Sequence, residues 1–396
     1  MEKLLFFSRY FLDDTKDHLS QKFSQQIAAL RALNFQVCYF GIEHNHVGIY
    51  DQHGLIRTIT PFVKGKIPML SNYMVYRRLY GALRQVIQDN ADYDWLYCRS
   101  LFPIRAAKRA LKVAKKKNMK TIMEIPTYPP ENEYGKEKRL LWRMALLSIV
   151  KKTKRMAAYV DLFPLIGEKA DAYLGRPAVN IDNGIDANKL PLRSPLSHEG
   201  EIHLLALAAM RTWHGYDRVI EGLKKYVQTD SPYRCIVHFV GPDSDNQTLA
   251  YWKELVCAYN LQAYVIFHGP LYGADLNGIF DLCDLGIASL ASYRKNLFVS
   301  SELKVREYTA RGLPFLYAAE DNAIPDDGKY AFRAPMDDSP IDFEEVVRFF
   351  EQCSQILDLP VKMRTYAQEH MSWCAQFGIV FSHYKLLYEG RELDTK

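Results

Sequence analysis

Two successive series of short apolar runs, each run followed by an amphipathic stretch, restrict what this chain can fold into more than any single motif does. In the first half the apolar runs fall at positions 4–7, 35–40, 95–98, 121–125 and 160–165, with helical patterns at 20–33, 103–117 and 137–152. The second series places runs at 202–209, 235–240, 264–268, 285–290 and 314–318, with helical patterns at 216–227, 246–258, 275–283 and 301–311. Strands that alternate with helices imply βαβ units, and such units build parallel sheets covered on both faces. Between the series lie the turn Asn183-Gly184 and the polar, proline-containing segment 191–200. At 396 residues and 48% hydrophobic content, the chain has the length for two cores and the side chains to fill them. Ligand sites are expected beyond the carboxyl ends of the strands.

Charge is divided unevenly. Residues 1–190 hold 31 Lys and Arg against 18 Asp and Glu, whereas residues 191–396 hold 20 against 28. The first half is therefore suited to face a polyanion: an anionic bilayer, a diphosphate-linked lipid or a nucleic acid. Seven cysteines include no C-x-x-C pair and no cluster at zinc spacing, so they read as core thiols in a reducing compartment. The opening apolar run is too short for a secretory signal, and no segment approaches the ~18 apolar residues of a membrane span. The expectation is a chain neither secreted nor membrane-spanning.

Several segments carry groups suited to chemistry. From Ser300 to Pro314 the sequence reads as a polar loop, a helix and a Gly-Pro exit. Ser300 or Ser301 is expected as the N-cap, leaving N–H groups that favour a phosphate, with Lys304 adding charge in the first turn. Glu307 shares an apolar face with Leu303 and Ala310 and needs a partner; the alternative is a surface helix with a Glu–Arg pair. Arg211 and His214 occupy a strand-to-helix turn where cations meet a diphosphate, or else merely precede a helix begun by Asp217 and Arg218. The turn from His268 to Tyr272 can cup a base with backbone groups or be an ordinary connection. Glu124 ends an apolar strand beside a Pro-rich loop, either as an acceptor-binding carboxylate or as a solvated acid. The basic face of 103–117, followed by the apolar stretch 140–150, fits a helix in a headgroup region or a core helix with a solvated side. Phosphate-loop, serine-hydrolase, zincin and early dinucleotide motifs are missing.

Taken in order, these segments resemble the retaining family-4 glycosyltransferases, especially the bacterial branch that builds capsular and exopolysaccharide repeat units. The resemblance runs over nearly the whole chain. It lies in 211–222, Phe239-Val240-Gly241-Pro242, 268–290, 302–314, Asn183-Gly184-Ile185-Asp186 and 124–128. It implies a GT-B fold of two Rossmann-like doubly wound domains facing across a cleft: 1–185 for the acceptor, 186–372 for the nucleotide sugar, and a helix at 373–396 crossing back. It implies a nucleoside-diphosphate-sugar donor, UDP- or GDP-linked, with no other cofactor and no metal. Glu307 would lie on the ribose, and Ser300, Ser301, Leu303 and Lys304 around the diphosphate. Gly241, Leu271 and Tyr272 would line the nucleotide site. Arg211 and His214 fall on the family's arginine and lysine, which leaves a weaker, pH-dependent cation at 214. The first of the family's paired glutamates is Val299 here, with Glu302 the nearest carboxylate, and residues 13–20 replace its glycine-rich loop. Arg211, Lys304, Glu302 and Glu124 form the implied catalytic set. The implied setting is the cytoplasmic face of an anionic membrane with a lipid-linked or glycan acceptor and no nucleic acid, as a homo-oligomer or with a partner glycosyltransferase. The rival is a non-catalytic GT-B subunit that binds acceptor or partner and stabilises an active transferase.

Overall fold

The computed structural model describes residues 1–8, 18–43, 46–61, 68–89, 92–99, 101–130, 151–194, 199–245, 247–325 and 327–390. They form two compact units, Met1–Asp182 with Trp373–Lys396, and Asn183–Ser372. Among the described residues no helix is long and apolar enough to cross a membrane.

The strands of the first unit are β1 (Lys3–Ser8), β2 (Gln36–Glu43), β3 (His46–Asp51), β4 (Gly54–Pro61), β5 (Trp95–Arg99), β6 (Lys120–Tyr128), β7 (Phe163–Gly167), β8 (Ala172–Tyr173) and β9 (Arg176–Ile181). They lie in the order β4-β3-β2-β1-β5-β6-β7-β9-β8. From β2 to β9 every neighbouring pair is parallel, while β3, β4 and β8 are antiparallel additions at the edges. The sequence pattern does not announce β3 and β4: Val47 and Ile49 of β3 join the core, but β4 leaves Leu55 and Ile56 exposed, so its apolar residues do not mark a buried face.

Alternate residues of the central strands enter two different cores, as the two-residue period of a strand dictates. Leu5, Phe7, Leu96 and Cys98 pack with α2 (Pro68–Asp89) and α3 (Arg105–Lys116). Leu4, Phe6, Trp95 and Tyr97 pack instead with Phe23 and Ile27 of α1 (His18–Ala32) and with Trp373, Phe377, Val380 and Phe381 of the chain's last helix, α10 (Trp373–Tyr388). Of the stretch expected to be helical at 137–152, only 151 and 152 are described; both are helical, and among the described residues that helix continues to 157.

The second unit has β10 (Glu201–Leu207), β11 (Arg234–Val240), β12 (Val265–Gly269), β13 (Leu285–Ile287), β14 (Phe315–Tyr317) and β15 (Ala331–Arg333), all parallel, in the order β12-β11-β10-β13-β14-β15. Renumbered from one, this is 3-2-1-4-5-6, the arrangement of dinucleotide-binding folds. Between the strands run α4 (Tyr216–Tyr226), α5 (Thr248–Ala258), α6 (Gly273–Leu282) and α7 (Leu303–Arg311), followed by α8 (Phe343–Ser354) and α9 (Leu359–His370). Asp217 and Arg218 do start α4, but Arg218 is buried and donates to the carbonyls of Ser339, Leu290 and Pro335, tying the helix to two loops.

Candidate functional site

In the second unit the strand order reverses between β10 and β13, the point at which open α/β sheets bind their ligands. Gly241 brings the strand ends together beside it. Its φ is +140°, and a Cβ there would stand 1.8 Å from the Ala208 carbonyl oxygen, so only glycine fits. Through this close approach Ala208 N–H donates to Val240 O at 2.9 Å and Gly241 N–H to Gly269 O at 2.8 Å, joining the ends of β10, β11 and β12. Gly215, at φ +67°, likewise lets the turn Thr212–His214 lie against Ala291 beyond β13.

Lys304, in the first turn of α7, reaches back over these strand ends. Its Nζ lies 3.2 Å from His214 Nδ1, 3.3 Å from the Tyr216 hydroxyl and 3.5 Å from Glu302 Oε2. Glu302 Oε2 also accepts from the Ser289 N–H at 3.2 Å and from its hydroxyl at 2.8 Å. His214 Nδ1 is 2.8 Å from Ser289 Oγ, and Nε2 is 3.1 Å from the Ala209 carbonyl. A carbonyl only accepts, so Nε2 carries the ring proton and Nδ1 presents a lone pair to the lysine.

Burial, helped by the charges of Lys304 and Lys295, drives the His214 imidazole well below its ordinary titration range. That corrects the cation expected at 214: the ring is neutral and serves as a seat for Lys304. The Lys304 ammonium is itself shifted downward by burial, with Glu302 opposing the fall.

The expected cap also moves. α7 begins at Leu303 with Glu302 at the N-cap, and no side chain caps it, since the Glu302 carboxylate is turned to Ser289. Its first N–H groups are left without a side-chain partner. Ser301 is occupied elsewhere: Asn183 donates its N–H to Ser301 Oγ at 2.7 Å and its Nδ2 to Ser301 O at 2.5 Å. Ser300 N–H donates to Glu320 O at 2.8 Å.

Arg211 Nη1 lies 3.4 Å from Asp245 Oδ2, and its guanidinium stands 5.7 Å from the Trp213 ring centre. Lys295 Nζ is 4.4 Å from the same indole. Nothing local in the sequence marks Lys295 or Ser289; only the reversal between β10 and β13 brings them to residues 211–214, whereas Tyr216 follows that turn directly in the chain. Asp243-Ser244-Asp245 has the Asp-x-Asp spacing that often holds a metal. Asp245, however, accepts from Gln247 N–H, Thr248 N–H and the Thr248 hydroxyl, which brings its carboxyl down to about 2. Among the described residues no group of three or more His, Cys, Asp or Glu side chains is placed to hold a metal ion.

Glu307 sits one turn further along α7, and its Oε1 accepts from Arg311 Nε at 2.9 Å. Arg311 also donates to Asn277 Oδ1 at 2.9 Å and lies 4.2 Å from the Phe280 ring centre, so the Glu–Arg pair of the alternative reading is present. Leu303 and Tyr272 are exposed, whereas Leu271 packs against the core.

In the first unit the corresponding reversal falls between β1 and β5, and Glu124 of β6 stands in register with Arg99 of β5. Its exposure is 0%, which corrects both sequence readings, since the carboxylate reaches neither an acceptor nor solvent. Oε2 accepts from the Tyr97 hydroxyl at 2.8 Å and Gln26 Nε2 at 2.9 Å, while Arg99 Nε and Lys22 Nζ approach Oε1 at 3.3 and 4.0 Å. Glu124 therefore ties α1, β5 and β6 together. Beyond it the Pro-rich loop includes a cis Tyr128–Pro129 bond.

No protein-family profile matches the sequence, and no curated protein does. Solved structures do. HepE from Anabaena in complex with UDP superposes with a TM-score of 0.59 at 13% identity, over 98% of this chain and 100% of that one. Sucrose-phosphate synthase from Thermosynechococcus elongatus gives 0.64 at 13% identity over 98% and 100%. Trehalose-6-phosphate synthase OtsA gives 0.58 at 10% identity over 97% and 99%. At such identities the likeness is one of fold, and the fold is GT-B, built of two Rossmann-like α/β units.

Proposed function

We propose that the chain is a retaining, metal-independent glycosyltransferase that takes a sugar from a UDP- or GDP-linked donor and passes it to a lipid-linked or glycan acceptor in cell-surface synthesis. The observation that carries this reading is Lys304: an ammonium seated on neutral His214 and Tyr216 beside the uncapped start of α7, at the strand-order reversal of a 3-2-1-4-5-6 sheet. A diphosphate arriving there meets a fixed cation, free helix N–H groups and, across Trp213, the further cations Arg211 and Lys295. The UDP in the HepE complex supports a nucleoside diphosphate as the ligand.

Ser300, Ser301 and Leu303 border the diphosphate in this reading, and Gly241, Leu271 and Tyr272 shape the nucleotide pocket. Glu307 takes the ribose hydroxyls when Arg311 shifts onto Asn277. During transfer the bond from the anomeric carbon to the diphosphate oxygen breaks, and the acceptor oxygen bonds the same face of that carbon. The acceptor's proton passes to the departing oxygen. Lys304, Arg211 and Lys295 offset the charge that develops there, while Glu302 keeps Lys304 protonated before the donor binds. Glu124 acts through what it holds, fixing the strand end that carries the acceptor-side loop.

The first unit meets its acceptor at an anionic cytoplasmic membrane surface. Its α3 buries Ala107, Ala110, Leu111 and Ala114 and exposes Arg105, Arg109, Lys112 and Lys116, with Lys117 just beyond. The apolar stretch 140–150 lies outside the described residues. Val299 in place of a carboxylate favours a second reading, a silent GT-B subunit that binds acceptor or a partner and stabilises an active glycosyltransferase.

Titration of UDP and GDP into the protein tests the donor site. Binding of one of them is expected, with Lys304→Ala weakening it by about tenfold or more. Undiminished affinity in a folded Lys304→Ala protein would place the site elsewhere. Release of sugar from the matching nucleotide sugar above the buffer rate separates the enzyme from the silent subunit.

A further inference from the structure

Three histidines on adjacent strands of the second unit form a continuous hydrogen-bonded chain. His203 is on β10, His238 on β11 and His268 near the end of β12. In register His238 stands opposite Leu205, two residues beyond His203, so the row climbs diagonally towards the carboxyl end of the sheet. His203 Nδ1 is 2.9 Å from His238 Nε2, and His238 Nδ1 is 2.9 Å from His268 Nε2, with ring centres 5.2 Å apart at each step. At the far end His203 Nε2 lies 3.3 Å from Glu201 Oε2.

The end groups fix the direction of the chain. Glu201 Oε1 accepts from Arg234 at 3.1 Å, which favours the ionised carboxylate, and a carboxylate only accepts. His203 therefore carries its proton on Nε2 and offers Nδ1 to His238. The same rule passes along the row, making His238 and His268 Nε2–H tautomers too. His268 is half-buried, and its Nδ1 has no partner among the described residues. To turn that atom into a neutral N–H donor, all three rings must switch tautomer, which would set a bare His203 Nε2 against the Glu201 carboxylate.

We propose that Glu201, through His203 and His238, holds His268 Nδ1 as a hydrogen-bond acceptor that selects the donor's base. The inference rests on the donor site proposed above, since His268 opens the turn that reading assigns to the base. An acceptor there fits a base with a protonated ring nitrogen on its pairing edge, as in uracil and guanine. Adenine and cytosine present a bare ring nitrogen at that place, and two lone pairs repel. His268 is thus a specificity-determining residue, and Glu201, His203 and His238 are positioning residues.

Two measurements on the full-length protein test this. In protein labelled with nitrogen-15 histidine, the His268 signals, identified by their loss in His268→Phe, are expected to show a bare Nδ1 and a protonated Nε2. Glu201→Gln can donate as well as accept, so Nδ1–H should become populated. By titration, the tighter-binding of UDP and GDP is expected to bind about tenfold more tightly than CDP and ADP, the discrimination of roughly one hydrogen bond. His268→Phe and the remote Glu201→Gln should each reduce that ratio at least about threefold. A protonated Nδ1 in the parent protein, no preference among the four nucleotides, or a preference untouched by both variants overturns the inference and leaves the donor site standing. If none of the four binds, the donor site and this inference fall together.

Discussion

Burial and the ammonium groups of Lys304 and Lys295 oppose a second proton on the His214 ring, and this sets how position 214 responds to acid. Its folded titration point lies well below the roughly 6.5 of a free imidazole. As pH falls through that value the unfolded chain gains a proton that the folded chain refuses, so the contribution of His214 to stability is complete above it and lost below it. The loss amounts to at most about 1.4 kcal/mol per pH unit for one proton. The fall in melting temperature between pH 7.5 and pH 5.5 is therefore expected to be larger for the parent protein than for His214→Gln; equal falls would mean the ring is free to charge. Arg211, His214 and Lys304 could be picked out from the sequence because each sits in a recognisable turn or first helical turn. The neutrality of His214 could not, since it comes from burial and from two lysines 81 and 90 residues away in the chain. Glu124 was misjudged for a similar reason: its buriers Gln26, Lys22 and Arg99 belong to other elements.

At the level of elements, loop geometry rather than helix propensity governs the site. The sequence located α7 to within two residues, yet it assigned the cap to Ser300 or Ser301, because serine before a helix is the usual signal. The long-range demand of Asn183 on Ser301 and of Ser289 on Glu302 overrode that local preference. Gly241 offers a sharper test of the same point. Gly241→Ala has to separate the ends of β10 and β11, because its Cβ would meet Ala208 O at 1.8 Å in a left-handed backbone conformation. A loss of about 2 kcal/mol or more is expected in denaturant unfolding, together with weaker nucleotide binding. Gly278→Ala, within α6 and with nothing within 4 Å of its added methyl, is the control, expected to be neutral or to gain up to about 1 kcal/mol. Equal stability in the two variants would show that the loops are not joined at Gly241.

For the whole molecule, the uneven charge becomes a statement about surfaces. The basic side of α3 is solvated while its alanines fill the core, so its cations are available to an anionic bilayer at about 1 kcal/mol each near the surface. Vesicles containing anionic lipid should retain the protein at low salt and release it at high salt, and changing Lys112, Lys116 and Lys117 to Glu should abolish retention. Equal recovery with neutral vesicles would reduce these lysines to solubilising groups. The sequence by itself determined that the chain makes two parallel α/β units, because strand and helix periods are written in consecutive residues and survive any arrangement of the elements. Tertiary structure alone decided which strands become neighbours. It thereby decided that α10 completes the core of the first unit beside Phe6 and Trp95, that Lys295 joins Arg211 at Trp213, and that three histidines from separate strands touch ring to ring. The physical reason is that sheet order and register are fixed by burial and hydrogen bonding between residues tens to hundreds of positions apart, and no local pattern records those pairings.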